Sequence, residues 1–169
     1  GHLVAAAIHL EQAGAFAEAR TLFSRLSQVG IGKVDHYQSA LIYFNLARMA
    51  QHCDDARSAR AAFVAAVRLL EEAADHFEGQ GQRERAFDCF QVLIEVGKSG
   101  GSFENVLEGF VNCIRILRED HLKYFALQHF DDALREAREE RELSAAATLA
   151  REASDYARAM GMHALALHH

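Results

Sequence analysis

The sequence predicts an all-α fold in which about eight helices form antiparallel hairpins that stack as a right-handed α-solenoid. None of the 169 residues is a proline, although average usage would place about eight in a chain of this length. A helix–turn–helix pattern returns about every 40 residues. Its clearest copies are Gly14 to Ala19 and Gly81 to Ala86, each followed four residues later by a phenylalanine, Phe23 or Phe90. Such recurrence is typical of stacked helical hairpins.

Turn signals divide the chain into these helices. Glycine is favoured just past a helix end because it adopts the left-handed conformation without strain. We expect Asp54, Ser102 and Asp120 to cap the helices that follow them. Between the turns, apolar residues recur at spacings of three and four, which gives each helix one apolar face. The predicted turns lie near Gly14, Gly30 to Gly32, Cys53 to Asp55, Gln80 to Gly81, Gly97 to Gly101, Glu119 to His121, Glu140 to Arg141, and Gly161.

The fourth helix differs from the others in its length. The stretch from about Asp55 to Gly79 contains no internal turn signal. We therefore expect one continuous helix shared between two hairpins, rather than two helices joined by a turn near Val67 to Leu69.

Small and aromatic residues alternate where neighbouring helices are expected to meet. Alanine allows two helix axes to approach to the lower end of the usual range of about 8–10 Å. A phenylalanine one turn later fills the remaining space, and its burial contributes roughly 1.5–3 kcal/mol. The predicted contact residues are Ala7, Ala19, Ala47, Ala59, Ala74 and Ala86 with Phe23, Phe63 and Phe90.

Charge and hydropathy argue against two classes of partner. Lysine and arginine total 18 against 24 acidic residues, giving a net charge of -6, and no predicted helix carries a basic stripe. Nucleic acid is therefore not an expected partner. No apolar run reaches the roughly 18 residues that a membrane-spanning helix needs, so we expect no direct membrane insertion.

The cysteines and the chain ends indicate the setting of the protein. Cys53, Cys89 and Cys113 are odd in number and far apart, which favours a reducing, cytoplasmic environment. The chain opens Gly-His-Leu and its helical pattern begins at once, without a polar capping helix. We expect residues 1–169 to form a single helical-repeat domain cut from a longer protein, with uncapped ends that could self-associate.

No residue pattern predicts catalysis, a metal or a cofactor. None of the ten histidines has an acidic residue three positions before it, so the Glu-x-x-His spacing of di-iron bundles is absent. There is also no His-Glu-x-x-His motif and no set of cysteine and histidine at zinc-finger spacing. We therefore expect a protein that is not an enzyme.

The repeat pattern resembles the tetratricopeptide repeat (TPR) family, including the longer-helix SNAP adaptors of membrane fusion. The family places a small residue midway along the first helix, Gly or Asp at the turn, then an alanine and an aromatic residue four positions later. The chain departs from the family because it lacks the usual proline and tryptophan, and its units vary in length. The three matching units are Ala7, Gly14, Ala19 and Phe23; Ala47, Asp54, Ala59 and Phe63; and Ala74, Gly81, Ala86 and Phe90.

The resemblance implies a scaffold or adaptor that binds a partner peptide or helix in a concave groove. Val4 and Ile8 stand where chaperone-binding members carry Lys and Asn, so that clamp is not expected. The acidic cluster Glu71, Glu72, Asp75 and Glu78 would attract a basic partner if it lines the groove. Two alternatives remain, a regulatory domain that senses a small molecule or peptide and a self-assembling array. The groove candidates are Phe44, Arg48, His52, Glu71, Asp75, Glu78, Gln128, Asp131, Arg135 and Arg138.

Overall fold

A computed structural model describes residues 2–29 and 35–161. These residues form eight α-helices and no β-strand, and the predicted turn at Gly30 to Gly32 lies outside the described residues. The helices are α1 (His2–Gln12), α2 (Phe16–Val29), α3 (His36–His52), α4 (Ala56–Gly79), α5 (Arg83–Gly100), α6 (Phe103–Glu119), α7 (Lys123–Glu139) and α8 (Leu143–Ala159).

The described turns between helices have similar backbone conformations. In each described turn between helices, one residue with positive φ lies one or two positions after the helix and two positions before the next one. Glycine satisfies this requirement without a Cβ penalty, as at Gly81, where φ is 72°. Other turns use Asp54, His121 and Arg141 with φ of 57–60°, a conformation that costs non-glycine residues free energy.

This turn geometry corrects two of the three predicted caps. Ser102 caps α6 as expected, since its hydroxyl oxygen accepts a hydrogen bond from the Asn105 amide at 3.4 Å. Asp54 takes the left-handed position, so the cap of α4 is Asp55, whose carboxylate accepts from the Ser58 amide at 3.1 Å. Asp120 ends α6 instead of opening α7. The predictions at Asp54 and Asp120 were wrong because the left-handed residue always precedes the cap.

Helix α4 is continuous, as predicted. Its 24 residues span about 36 Å, and its buried face runs from Ala59 through Phe63 and Leu70 to Phe77. The helix packs against both α3 and α5. One long helix therefore belongs to two successive hairpins.

The helices form two layers, because each contacts its neighbours in sequence and side chains also link alternate helices. We call α1, α3, α5 and α7 the odd layer and α2, α4, α6 and α8 the even layer. Ion pairs within the odd layer are Glu11–Arg48 and Lys98–Glu136, and those within the even layer are Arg20–Asp55 and Glu78–Arg115.

The predicted small and aromatic contacts form the core between the layers. Each of the nine residues has 8% or less of its surface exposed, which confirms the packing prediction. Burial of the rings removes apolar area from water, and the alanines beside them let the helix backbones come close. The nine are Ala7, Ala19, Ala47, Ala59, Ala74, Ala86, Phe23, Phe63 and Phe90.

Two glycines permit a close approach of α5 and α6. A Cβ on Gly97 would lie 2.7 Å from the Val106 amide nitrogen, and one on Gly109 would lie 2.8 Å from the Phe90 carbonyl oxygen. Gly97 was predicted to belong to a turn, which is wrong, since it lies inside α5. It is helical because its missing side chain makes room for α6.

Candidate functional site

Three of the predicted groove residues lie on α3 and contact neighbouring helices. Phe44 is half-buried, with its ring centroid 6.3 Å from that of Phe63 on α4. Arg48 forms an ion pair with Glu11 of α1. His52 stacks on the Phe16 ring of α2 at 4.0 Å. Each of these side chains therefore helps to hold the first hairpins together.

Four more candidates lie on α7, on the far side of α5 from α3. Gln128, Asp131, Arg135 and Arg138 are all exposed. Arg135 donates to the Asp132 carboxylate at 2.7 Å within the same helix. These four residues share the odd layer with the α3 candidates but do not contact them.

The acidic candidates lie in the other layer. Glu78 on α4 pairs with Arg115 on α6, with 2.5 Å between Oε1 and Nη2. Glu71 shares a hydrogen bond with Glu108, also on α6, and Asp75 is exposed. The structure therefore divides the predicted single groove into an odd-layer set and an even-layer set. Helical spacing identifies the outer face of one helix but does not give the layer to which the helix belongs.

The even layer contains a groove that the sequence analysis did not identify. We call it the α4–α6 groove, and it encloses a cavity of about 560 Å³. Its floor is apolar and includes Phe63, Val67 and Val96. Its rim includes Arg60, Val64, Arg68 and Glu71 on α4, Ser102 and Asn105 at the start of α6, and Gln51 on α3. The spacing of four between Arg60, Val64 and Arg68 was the sequence signal for this rim.

A pair of carboxyl groups adjoins the acidic end of this groove. Burial, the hydrogen bond with Glu71 and the charges of Glu71 and Glu104 together raise the pKa of Glu108 to about 7. Two facing carboxylates repel each other, so a proton is retained between them. The pair therefore carries less than two negative charges near neutral pH.

A second cavity lies between α6 and α8. Its volume is about 570 Å³, and its walls include Val111, Phe130, Leu149 and Tyr156. The Arg118 guanidinium lies over the Tyr156 ring, 4.6 Å from its centroid. This cation–π contact covers part of the apolar wall.

The cysteine thiols are free and differ in exposure. Cys89 and Cys113 are buried, whereas Cys53 is partly exposed. Burial raises the pKa of both buried thiols to about 12. They are consequently poor nucleophiles.

The structure also bears on metal binding and on membrane spanning. Within residues 2–29 and 35–161, no group of three or more His, Cys, Asp or Glu side chains is placed to hold a metal ion. None of the described helices has the length and apolar character required to span a bilayer.

Comparison with known proteins supports the fold. No family model matches the sequence, and no curated protein matches it. Among solved structures, BtubC (BKLC) from P. vanneervenii has a TM-score of 0.52 at 13% identity, over 95% of this chain and 72% of that one.

Two other solved structures have TM-scores below 0.5. TPR-like repeats assigned to a kinesin light chain from Podosopora anserina give 0.47 at 14% identity, over 99% of this chain and 89% of that one. A signal transduction ATPase with a tetratricopeptide repeat sensor from Pyrococcus horikoshii gives 0.41 at 13% identity, over 97% and 30%. The helix packing and the likeness to BtubC identify the fold. The chain has a divergent TPR-like α-solenoid fold, as its sequence predicts.

Proposed function

We propose that this chain is a protein-interaction scaffold that binds a partner peptide or helix in the α4–α6 groove. The observation that supports this proposal is the open cavity between two parallel helices of one layer, with an apolar floor and a charged rim. Apolar floors supply burial energy, and rim charges select among partners. A groove between helices accommodates a peptide or an amphipathic helix.

The predicted binding residues fall on two surfaces under this proposal. Glu71, Asp75 and Glu78 belong to α4 and would border a partner in the α4–α6 groove. The odd-layer set would form a separate surface, in which Phe44, Arg48 and His52 are already engaged in contacts with neighbouring helices. We favour the even layer because Val64 on its rim is 65% exposed and is thus available to a partner. The odd-layer residues of α7 remain secondary candidates.

The state of the cysteines supports a cytoplasmic location for this scaffold. Cys53, Cys89 and Cys113 are all free thiols. Free thiols persist where the compartment is reducing. We therefore propose that the scaffold works in the cytoplasm as an adaptor.

Selection from a random peptide library tests the proposed function without assuming the chemistry of the partner. We expect the wild-type domain to select a set of peptides from the library. These peptides should not bind to the Val64→Asp variant. The matched control is Val111→Asp, because Val111 is also exposed, 48% against 65%, but lines the α6–α8 cavity instead. Both variants place a charge on an exposed helix position, so both should remain folded by circular dichroism.

Two outcomes would contradict this function or its location. If the library yields no peptide with measurable affinity, the scaffold proposal fails. If the selected peptides are lost in Val111→Asp and retained in Val64→Asp, binding occurs in the α6–α8 cavity, and the α4–α6 groove is the wrong site.

Self-association is a second candidate function, because the first and last described helices expose apolar side chains. Leu3 on α1 is 52% exposed and Leu143 on α8 is 73% exposed. Exposed apolar residues at the ends of a helical array can stack against another copy. Light scattering across a range of concentrations should show a rising mass if the copies stack, and a constant monomer mass would exclude this candidate.

A further inference from the structure

Helix α4 carries its charges in the reverse of the order that stabilises a helix. From Ala56 to Leu70 it holds three arginines and no acidic residue, whereas residues 71–79 hold four acidic residues. The helix dipole favours acidic side chains near the N-terminus and basic ones near the C-terminus. The arginines therefore do not stabilise α4 through its dipole.

Two of these arginines border the α4–α6 groove with an apolar residue between them. Arg60, Val64 and Arg68 all line the cavity, and their spacing of four places them in a row along one side of the helix. The two arginines are separated by about 12 Å along the axis. Neither forms an ion pair with another residue in the described part of the chain.

The opposite wall adds positive potential at the same end of the groove. Ser102 caps the N-terminus of α6 and lines the cavity together with Asn105. A helix N-terminus carries a partial positive charge. Glu104 in the first turn of α6 offsets part of this charge, so the positive potential at this end of the groove comes mainly from Arg60 and Arg68, in a chain with a net charge of -6.

The acidic end does not cancel this potential. Glu71 is the acidic residue among the cavity-lining side chains, and it shares a hydrogen bond with Glu108, whose pKa is raised to about 7. Since the pair retains part of a proton near neutral pH, its negative charge is reduced. Along the α4 axis, the midpoint between Arg60 and Arg68 lies about 6 Å from each arginine and about 10 Å from Glu71.

We propose that the α4–α6 groove binds a partner segment in which two acidic side chains flank an apolar one. The carboxylates pair with Arg60 and Arg68, and the apolar side chain contacts Val64 and the floor at Phe63 and Val67. On a partner helix, this pattern requires acidic residues about eight positions apart. The inference rests on the proposed scaffold function and names the chemistry of its partner.

A charge-swap experiment with two designed peptides tests this inference. The first is an alanine-based helical peptide with a leucine midway between two glutamates eight positions apart, and the second has lysines in place of the glutamates. We expect wild type to bind the acidic peptide at least about tenfold more tightly than the basic one, because ion pairs at a rim discriminate by charge. The Arg60→Glu/Arg68→Glu double variant should reverse this preference, as measured by fluorescence anisotropy.

The matched control is Arg25→Glu/Arg151→Glu, which changes the net charge equally at exposed positions on α2 and α8. It should keep the preference for the acidic peptide, and circular dichroism verifies that each variant is folded. Equal binding of the two peptides by wild type, or no acidic-peptide binding at millimolar concentration, would overturn the inference. Tighter binding of the basic peptide would also overturn it and would assign the groove to a basic partner near Glu71.

The charge-swap experiment and the library selection test different claims, so one claim can fail while the other holds. If the selected peptides bind at Val64 but lack acidic residues, only the partner chemistry is wrong. If no peptide binds the groove, the scaffold function at this site fails as well.

Discussion

Replacing Gly109 with alanine tests the close contact between α5 and α6. A Cβ at this position would lie 2.5 Å from Ile94 Cγ1, 2.8 Å from the Phe90 carbonyl oxygen and 3.0 Å from the Ile94 amide nitrogen. The Ile94 side chain could turn aside, but the two backbone atoms move only if α5 shifts away from α6. Overpacking of this kind costs about 1–3 kcal/mol, and the backbone clash places the cost in the upper half of that range.

The helix propensity of alanine opposes this cost. Alanine is favoured over glycine inside a helix by about 1 kcal/mol. We therefore expect Gly109→Ala to lower the free energy of unfolding by about 1–2 kcal/mol. For a chain of this size, that loss corresponds to a fall in Tm of about 2–8 °C.

Urea unfolding followed by circular dichroism measures this change, with Gly79→Ala as the matched control. Gly79 is also helical, but no atom lies within 4 Å of the position where its Cβ would be. The control should be neutral or should stabilise the chain by up to about 1 kcal/mol. If Gly109→Ala stabilises the chain as much as the control does, α5 and α6 are not packed as described here.

Three further predictions concern the core, the thiols and the carboxyl pair. Ala86 is fully buried, so Ala86→Leu should cost about 1–3 kcal/mol through overpacking, and an unchanged Tm would contradict its placement between helices. Cys53 should react with a thiol reagent in the native state, whereas Cys89 and Cys113 should react only after unfolding, because both are buried with pKa values of about 12; three fast thiols would refute this burial. The pKa of Glu108 is raised from 4.5 to about 7, so its contribution to stability is present below pH 4.5 and is lost as the pH rises through 7. Glu108→Gln should therefore match wild type near pH 5 and exceed it by about 1 kcal/mol at pH 8, a figure reduced for solvent screening; thermal melts that show the same difference at both pH values would count against the shared proton.

The helices were predictable because their signals are local. Gly14, Gly81 and Gly161 mark helix ends through the left-handed conformation that each adopts. The buried alanines and phenylalanines follow the three- and four-residue spacing of a single helix face. Both patterns can be read directly from the sequence, because each involves residues that are close together along the chain.

The caps and the close helix contact were less predictable. Asp54 and Asp55 are both good capping residues, and only the turn geometry decides which one takes the left-handed position. Gly97 has the composition signal of a turn, since it stands near Gly100 and Gly101. Gly97 lies in close contact with Val106 on the next helix. The sequence around Gly97 gives no information about this contact.

The candidate site was predictable only one helix at a time. The outer faces of α3, α4 and α7 follow from helical spacing, but their grouping into one groove required knowledge of the layers. Glu78 and Arg115 are 37 positions apart, and their ion pair shows that α4 faces α6. The groove bordered by Arg60 and Arg68 forms because α4 and α6 are neighbours in the same layer.

A crystal structure of the chain with a library-selected peptide tests the account most directly. We expect the peptide to lie between α4 and α6, where it contacts Val64, Arg60 and Arg68. A peptide bound to the odd layer, against Arg48 or Arg135, would contradict the account, as would one seated in the α6–α8 cavity.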